Sequence, residues 1–116
     1  MSLVAKIAVV FVSLIHIYIL VLEMFLWDKP LGRRAFGLSK EFAAASKVLA
    51  ANQGLYNGFL AAGLLWGLII GDIRIQIFFL ICVMIAGVYG AITANKKILW
   101  IQTMPALLAF IFLVLA

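Results

Sequence analysis

The chain has 116 residues, of which 68% are hydrophobic and 11% charged, with a formal net charge of +5 and a mean hydropathy of +1.28. A soluble domain of this size needs more charged residues to cover its core, so the composition excludes that class. It also excludes a nucleic-acid-binding protein, which would need a basic face on a soluble domain.

Four long apolar runs cover most of the chain, at residues 3–27, 49–71, 75–94 and 98–115. Each approaches the ~20 residues that a helix needs to cross a hydrocarbon layer ~30 Å thick. None alternates with the period of a barrel strand. We therefore predict an all-α fold, with residues 1–116 forming one transmembrane domain. Its architecture is an integral membrane four-helix up-down bundle with a long basic cytoplasmic connection between helices one and two.

The basic residues predict how the bundle is oriented. Two groups share one face of the membrane, five in the first connection and two in the third; Lys6 and Arg74 lie at the other face. The positive-inside rule then places both connections in the cytoplasm and both termini outside. The seven cytoplasmic residues are Lys29, Arg33, Arg34, Lys40, Lys47, Lys96 and Lys97.

The first connection divides into two parts. Pro30, Gly32 and Gly37 are expected to break regular structure in its first half. Ser39 resembles a helix N-cap, so helix two is predicted to begin near residue 40. If that helix is continuous to Gly71 it is about 48 Å long, and its first turns project into the cytoplasm.

Small residues recur at four-residue spacing on the middle helices, which predicts close helix contacts. The pattern leaves open whether those contacts lie within one chain or between chains. The rows are Gly54 and Gly58, then Gly63, Gly67 and Gly71, and on helix three Ala86, Gly90 and Ala94.

Each apolar run also carries a polar residue near its predicted cytoplasmic end. At 1.5 Å per residue, Glu23 lies about 6 Å inside the boundary and Asn57 about 9 Å inside. Tyr89 and Gln102 lie about 9 Å and 6 Å inside by the same count. Because hydrocarbon disfavours unpaired polar groups, these side chains are predicted to converge on a pocket open to the cytoplasm.

Helical spacing adds four residues to this predicted pocket. His16 shares a face with Glu23, and on helix two Asn52 and Gln53 stand one turn before Tyr56 and Asn57. Pro105 removes a backbone hydrogen bond to Ile101, beside Gln102. We predict catalytic roles for Glu23 and His16, and ligand contacts for Asn52, Gln53, Tyr56, Asn57, Tyr89 and Gln102.

Structural interpretations of the same residues stay open. Glu23 is alternatively an interfacial residue that reaches water or pairs with Arg33 or Arg34. His16 is alternatively a core histidine, and Asn52 and Gln53 would then mark the point where helix two leaves the membrane. With one histidine and one cysteine, the sequence indicates no metal site, and the cofactor is unknown.

Two stretches carry a resemblance that extends over essentially the whole chain: EMFLWDKPLGRRAFG (23–37) and AANQGLYNGFLAAGLLWG (50–67). They resemble an uncharacterised bacterial four-span membrane family, catalogued as domain of unknown function 1304. That family has no assigned activity, so the resemblance implies the length, four spans and a bacterial inner membrane without implying a reaction.

A more distant similarity is to the MAPEG family of membrane glutathione transferases and eicosanoid synthases. Ala-Ala-Asn52, then Tyr56-Asn57, loosely follow that family's helix-two motif, and VYGAITA with PALLAF resembles its later segments. The arginine and glutamate of the motif are not matched. The resemblance therefore implies the architecture, including a homotrimer in preference to a dimer, and not glutathione chemistry.

Three functions remain in competition. The first is a pocket for a small lipophilic ligand, with acid–base chemistry in a MAPEG-like enzyme as its catalytic form. The second is a non-catalytic accessory or structural subunit, whose polar groups only lock helices together. The third is a small proton-coupled exporter with a carboxylate in helix one.

Overall fold

The computed structural model describes residues 1–115, and every regular element among them is helical. The all-α prediction is therefore confirmed. The elements are α1 (Leu3–Met24), α2 (Pro30–Phe36), α3 (Lys40–Ile70), α4 (Ile73–Thr93), a π-helical turn (Leu99–Thr103) and α5 (Met104–Leu115).

Three helices are long and apolar enough to cross a membrane. These are α1 with 22 residues, α3 with 31 and α4 with 21. The last apolar segment, Leu99–Leu115, is shorter, with 5 residues in the π-helical turn and 12 in α5. By length and composition, these helices are those of a membrane protein.

The long helix α3 begins and ends at residues whose local chemistry explains its limits. Ser39 Oγ accepts a hydrogen bond from the backbone N–H of Phe42 at 3.1 Å, so the predicted N-cap is present. At 1.5 Å per residue the helix is about 46 Å long. It stops at Gly71, whose φ of 71° is accessible to glycine at little cost and ends the helical path.

The prediction that residues 30–37 lack regular structure was wrong. Pro30 occupies the first turn of α2, where its missing N–H costs no hydrogen bond. Gly37 ends α2 in the left-handed conformation with φ of 66°. Gly32 lies against the Leu26 carbonyl oxygen so closely that a Cβ there would collide with it. Pro30 and Gly37 thus mark the two ends of a short helix, and Gly32 allows it to pack closely against Leu26.

The chain divides into two compact units. The larger comprises Met1–Ile15 together with the chain from Leu60 onward, and the smaller comprises His16–Phe59. The larger unit has a core to which α1, α3, α4 and α5 all contribute. Its buried members recur every three or four residues along α1, α4 and α5, as expected for helix faces in contact, and α3 contributes one. They are Ala5, Val9, Val12, Leu64, Leu80, Val83, Ala106, Ala109 and Leu113.

Glycines bring neighbouring helices of the larger unit into close contact. A Cβ on Gly63 would overlap the ring of Phe79, and one on Gly67 would lie 2.8 Å from Cγ of Gln76. The order of these contacts shows that α3 and α4 run antiparallel. Gly63 and Gly67 therefore serve packing between α3 and α4 of one chain.

The fourth apolar segment does not begin as a regular α-helix. Leu99–Thr103 forms a π-helical turn, closed by a hydrogen bond from the backbone N–H of Met104 to the Leu99 carbonyl. Pro105 has no N–H to donate to Ile101, so the α-helical hydrogen bond at this point is absent. Thr103 Oγ1 instead donates to the Met84 carbonyl of α4 at 3.2 Å. The missing hydrogen bond at Pro105 thus coincides with a local change in helix type, which the sequence did not predict.

Gly87 is the tightest point between α4 and this turn, which leads to a testable prediction. A Cβ there would collide with Thr103 Oγ1 and lie 2.9 Å from the Thr103 backbone nitrogen. We expect Gly87→Ala to lower the free energy of unfolding by about 1–3 kcal/mol, because the backbone at Thr103 would have to move away from α4. The measurement is unfolding in mixed micelles of dodecyl maltoside and sodium dodecyl sulfate.

Gly90→Ala is the matched control. A Cβ at Gly90 would approach only side-chain atoms of Ile98, at 3.1 Å and beyond, and those atoms are free to move. Equal destabilisation by the two alanines would contradict the assigned contact between Gly87 and Thr103.

Candidate functional site

The smaller unit brings the end of α1 against the first half of α3 through two glycines. A Cβ on Gly54 would lie 2.6 Å from Cγ of Met24 and 3.1 Å from Cβ of Glu23. A Cβ on Gly58 would lie 2.6 Å from Cδ1 of Leu20. At Gly54 a Cβ would also lie 3.2 Å from the Leu20 backbone oxygen, whereas at Gly58 it would meet only the flexible Leu20 side chain. The absence of a side chain at Gly54 thus lets α1 approach α3 closely.

A side-chain hydrogen bond joins the two helices at this contact. Asn57 Nδ2 donates to Glu23 Oε1 at 2.7 Å and to the Gln53 carbonyl, one turn back, at 3.1 Å. The amide is thus held by its own helix while it binds the carboxylate of the other. Two residues that the sequence placed in the predicted pocket are in direct contact.

The alternative partners of Glu23 are not used. Among residues 1–115, the ion pairs within 4.0 Å are Lys47 with Asp28 and Arg74 with Asp72, so neither Arg33 nor Arg34 pairs with Glu23. The second carboxylate oxygen of Glu23 accepts no hydrogen bond within the described part of the chain. The Glu23 side chain is half-buried, which leaves this oxygen available to another molecule.

The other predicted residues of the smaller unit differ in exposure. His16 is completely buried in α1. Asn52, Gln53 and Tyr56 are exposed on α3, and the Tyr56 ring lies edge-on to Phe59 with ring centroids 5.8 Å apart. The structure therefore joins Glu23 to Asn57 and leaves three polar side chains of α3 on the surface of this unit.

The remaining two predicted residues belong to the larger unit. Tyr89 is exposed on α4, and its carbonyl accepts a hydrogen bond from Thr93 Oγ1 at 2.7 Å. Gln102 is half-buried in the π-helical turn.

Two buried polar residues, Gln76 and Thr103, were not anticipated from the sequence, and Gln76 is the more deeply buried. Gln76 lies near the start of α4, is fully buried, and donates from Nε2 to the carbonyls of Gly67 and Asp72, each at 3.3 Å. Its Oε1 is buried and has no hydrogen-bond partner among residues 1–115. Both partners are backbone carbonyls, which every residue carries, so the sequence held no specific signal for this contact.

The basic connection is folded against the helices that it joins. Trp27 Nε1 donates to Ser46 Oγ at 3.0 Å, and the Trp27 ring packs against Phe36 with centroids 4.9 Å apart. Lys47 Nζ lies 3.2 Å from Asp28 Oδ2. These contacts link α2 and the end of α1 to the first turns of α3.

A double-mutant cycle measures the link between α1 and α3. We expect Glu23→Ala and Asn57→Ala to be coupled by about 1 kcal/mol in the free energy of unfolding, a typical value for a hydrogen bond between membrane helices. Unfolding in mixed micelles provides all four stabilities. The matched control pairs Glu23→Ala with Asn52→Ala, since Asn52 is exposed and makes no hydrogen bond to Glu23. Similar coupling in both cycles would contradict the assignment.

The ion pair of Asp28 makes a prediction about titration. The hydrogen bond and charge of Lys47 hold the pKa of Asp28 below its ordinary value of 3.8. Because the pKa is lowered in the folded protein, the stabilisation is present above 3.8 and is lost as pH falls through the lowered value. We expect Lys47→Met to raise the pKa of Asp28 and Lys97→Met to leave it unchanged. Carboxyl-carbon NMR titration checks this, and an unchanged pKa in Lys47→Met would contradict it.

Comparisons with known proteins support the assignment of a family. The sequence profile of the family described as "Protein of unknown function (DUF1304)" matches residues 10–114. The uncharacterized protein YpaA of Lactococcus lactis subsp. lactis (strain IL1403) is 36% identical over 104 residues, which cover 86% of this chain and 87% of that protein. No solved structure matches the chain, so the MAPEG resemblance remains a prediction from sequence. The chain belongs to the DUF1304 family.

Proposed function

We propose that this protein binds a small lipophilic molecule at Glu23 and Asn57, in the cytoplasmic half of a bacterial inner membrane. In this proposal the chain crosses the membrane four times and both termini lie outside. The segment Leu99–Leu115 makes the fourth crossing, since a helix of that length is at the lower limit for a span.

The observation that carries the proposal is the carboxylate of Glu23, held by a neutral amide instead of a cation. Asn57 fixes one oxygen at 2.7 Å, and the other has no partner among the residues that the structure describes. A carboxyl group in an apolar helix is costly in a membrane and is commonly found where it serves a ligand or a proton. An orientation fixed by Asn57 favours a ligand that presents a hydroxyl, amine or similar donor to Glu23.

The surroundings of this pair favour a ligand that enters from lipid. Asn52, Gln53 and Tyr56 are exposed on the same helix and offer further hydrogen bonds to a polar head. Phe25 and Phe59 are exposed apolar side chains of the same unit that suit the apolar part of such a molecule. A molecule with one polar end and an apolar body matches this combination.

If a reaction occurs, acid–base chemistry is the form that these residues permit. Glu23 would move a proton, while Asn57 or Tyr56 would donate a hydrogen bond to a developing oxyanion. His16 would act behind Glu23. The resemblance to the MAPEG family adds a homotrimer to this proposal.

A structural role is the second candidate, and one observation favours it. The hydrogen bond between Glu23 and Asn57 is itself a contact between α1 and α3, so the pair already contributes to helix association without any ligand. Under this alternative the protein is an accessory subunit. Loss of the pair would then lower stability and change no binding.

Native mass spectrometry of the protein released gently from its own membrane tests the two candidates. We expect a trimer that holds a discrete small molecule, and we expect Asn57→Leu to release that molecule. Asn95→Leu is the matched control, because the Asn95 side chain only accepts a hydrogen bond from the Lys97 backbone in an exposed turn. Thermal stability of both variants is measured in parallel.

The outcomes separate the candidates. Release of the molecule from Asn57→Leu while the variant stays folded and keeps the oligomeric state of the wild type supports ligand binding. The ligand site is rejected if wild type and Asn57→Leu hold the same molecule. It is also rejected, and the structural role is supported, if neither holds a molecule and Asn57→Leu is less stable.

A further inference from the structure

A groove of about 470 Å³ lies in the larger unit, where α3 turns back into α4. Its volume falls within the ~300–1,000 Å³ common for small-molecule sites. It contains none of the residues assigned above to ligand binding. Its lining consists of Trp66, Asp72, Arg74, Ile75, Phe78 and Phe79.

One end of the groove carries an oriented guanidinium group. Asp72 Oδ1 accepts hydrogen bonds from the Arg74 backbone N–H at 2.9 Å and from Arg74 Nε at 3.3 Å. Asp72 Oδ2 accepts from Arg74 Nη2 at 3.2 Å. Both carboxylate oxygens thus face the arginine, whose side chain is nevertheless 92% exposed. Asp72 holds Arg74 in place, and the outward N–H groups of Arg74 stay available to an anion.

The walls of the groove are apolar and aromatic. Phe79 is fixed, since its ring covers Gly63 and its neighbour Phe78 packs edge-on against it with centroids 5.3 Å apart. Trp66 and Phe78 are 54% and 61% exposed. Along α4, Phe78 lies about 6 Å beyond Arg74 at 1.5 Å per residue. The groove therefore changes from cationic to apolar along the helix axis.

We propose that this groove is a phospholipid site, with the lipid phosphate on Arg74 and an acyl chain against Trp66 and Phe78. Asp72 and Arg74 lie at the ends of two membrane-length helices, which is the level of headgroups, and the aromatic walls lie toward the hydrocarbon. The order of charge and apolar surface thus matches that of a phospholipid. Guanidinium groups bind phosphate oxygens through paired hydrogen bonds, which an oriented Arg74 supports.

The occupant follows from charge as well as from shape. Hydrogen bonding to Arg74 lowers the pKa of Asp72, so this carboxylate stays charged and balances the formal charge of Arg74. A ligand with several negative charges is therefore not favoured. A phosphodiester with one negative charge is the group that fits.

The test uses the full chain, purified in dodecyl maltoside, with dioleoyl phosphatidylglycerol as the probe. Native mass spectrometry during lipid titration counts the phospholipids retained by each chain. We expect the wild type to retain one, and Arg74→Gln to weaken retention about tenfold or more, because charge-assisted hydrogen bonds to phosphate are lost. Phe78→Ala is expected to weaken it too, and dioleoylglycerol, which lacks phosphate, is expected not to bind.

Matched controls lie outside the groove. Arg34→Gln removes one positive charge from the first connection, and Phe11→Ala removes an exposed phenyl ring from α1 of the same unit. Both are expected to retain lipid as the wild type does. Asn57→Leu should also leave retention unchanged, which distinguishes this site from the proposed function.

Three results would overturn the proposal. These are a wild type that retains no phospholipid, equal retention by Arg74→Gln and Arg34→Gln, and displacement of the lipid by millimolar inorganic phosphate. The last would assign the arginine to a soluble anion instead of a lipid. Far-UV circular dichroism of Arg74→Gln and Phe78→Ala verifies that both fold, and exposure of both side chains favours that result.

Discussion

Close approach between helix backbones at glycine is the constraint on which the polar contacts of this protein depend. Gly54 and Gly58 admit side chains of α1 to the surface of α3, and only then does the short amide of Asn57 reach Glu23. Gly67 and Gly87 do the same for Gln76 and Thr103. Helices in lipid gain little from apolar burial against one another, so close packing and short hydrogen bonds replace it.

The helices could be predicted from composition because a chain this apolar has few alternatives. Long apolar runs with two very short connections predict antiparallel helices, and Ser39 shows the chemistry of an N-cap directly in the sequence. The contact of Glu23 with Asn57 could be anticipated as well. Depth counting placed both residues in one layer, and hydrocarbon disfavours leaving either of them unpaired.

Other features depend on contacts that no local pattern reveals. α2 begins at Pro30 and ends at Gly37. Gly32 lets α2 pack against the Leu26 carbonyl oxygen, a neighbour that only the tertiary structure determines. The same three residues in a loop would look identical in sequence. Gln76 was missed because its partners are the Gly67 and Asp72 carbonyls, and carbonyls carry no sequence signature. The carboxylate oxygen of Glu23 that accepts no hydrogen bond is also set by the side-chain rotamer, which residue spacing does not determine.

The π-helical turn at Leu99–Thr103 has a consequence for how this chain tolerates changes of length. A π-helical turn holds one residue more than an α-helical turn, so loss of one residue there can be absorbed by conversion to α-helix. The rotational register of α5 is then kept, and Ala106, Ala109 and Leu113 still meet the core. A deletion within Met104–Leu115 instead rotates every later residue by about 100° and turns that buried face outward. Natural insertions and deletions in the last apolar segment of related chains should therefore concentrate at this turn.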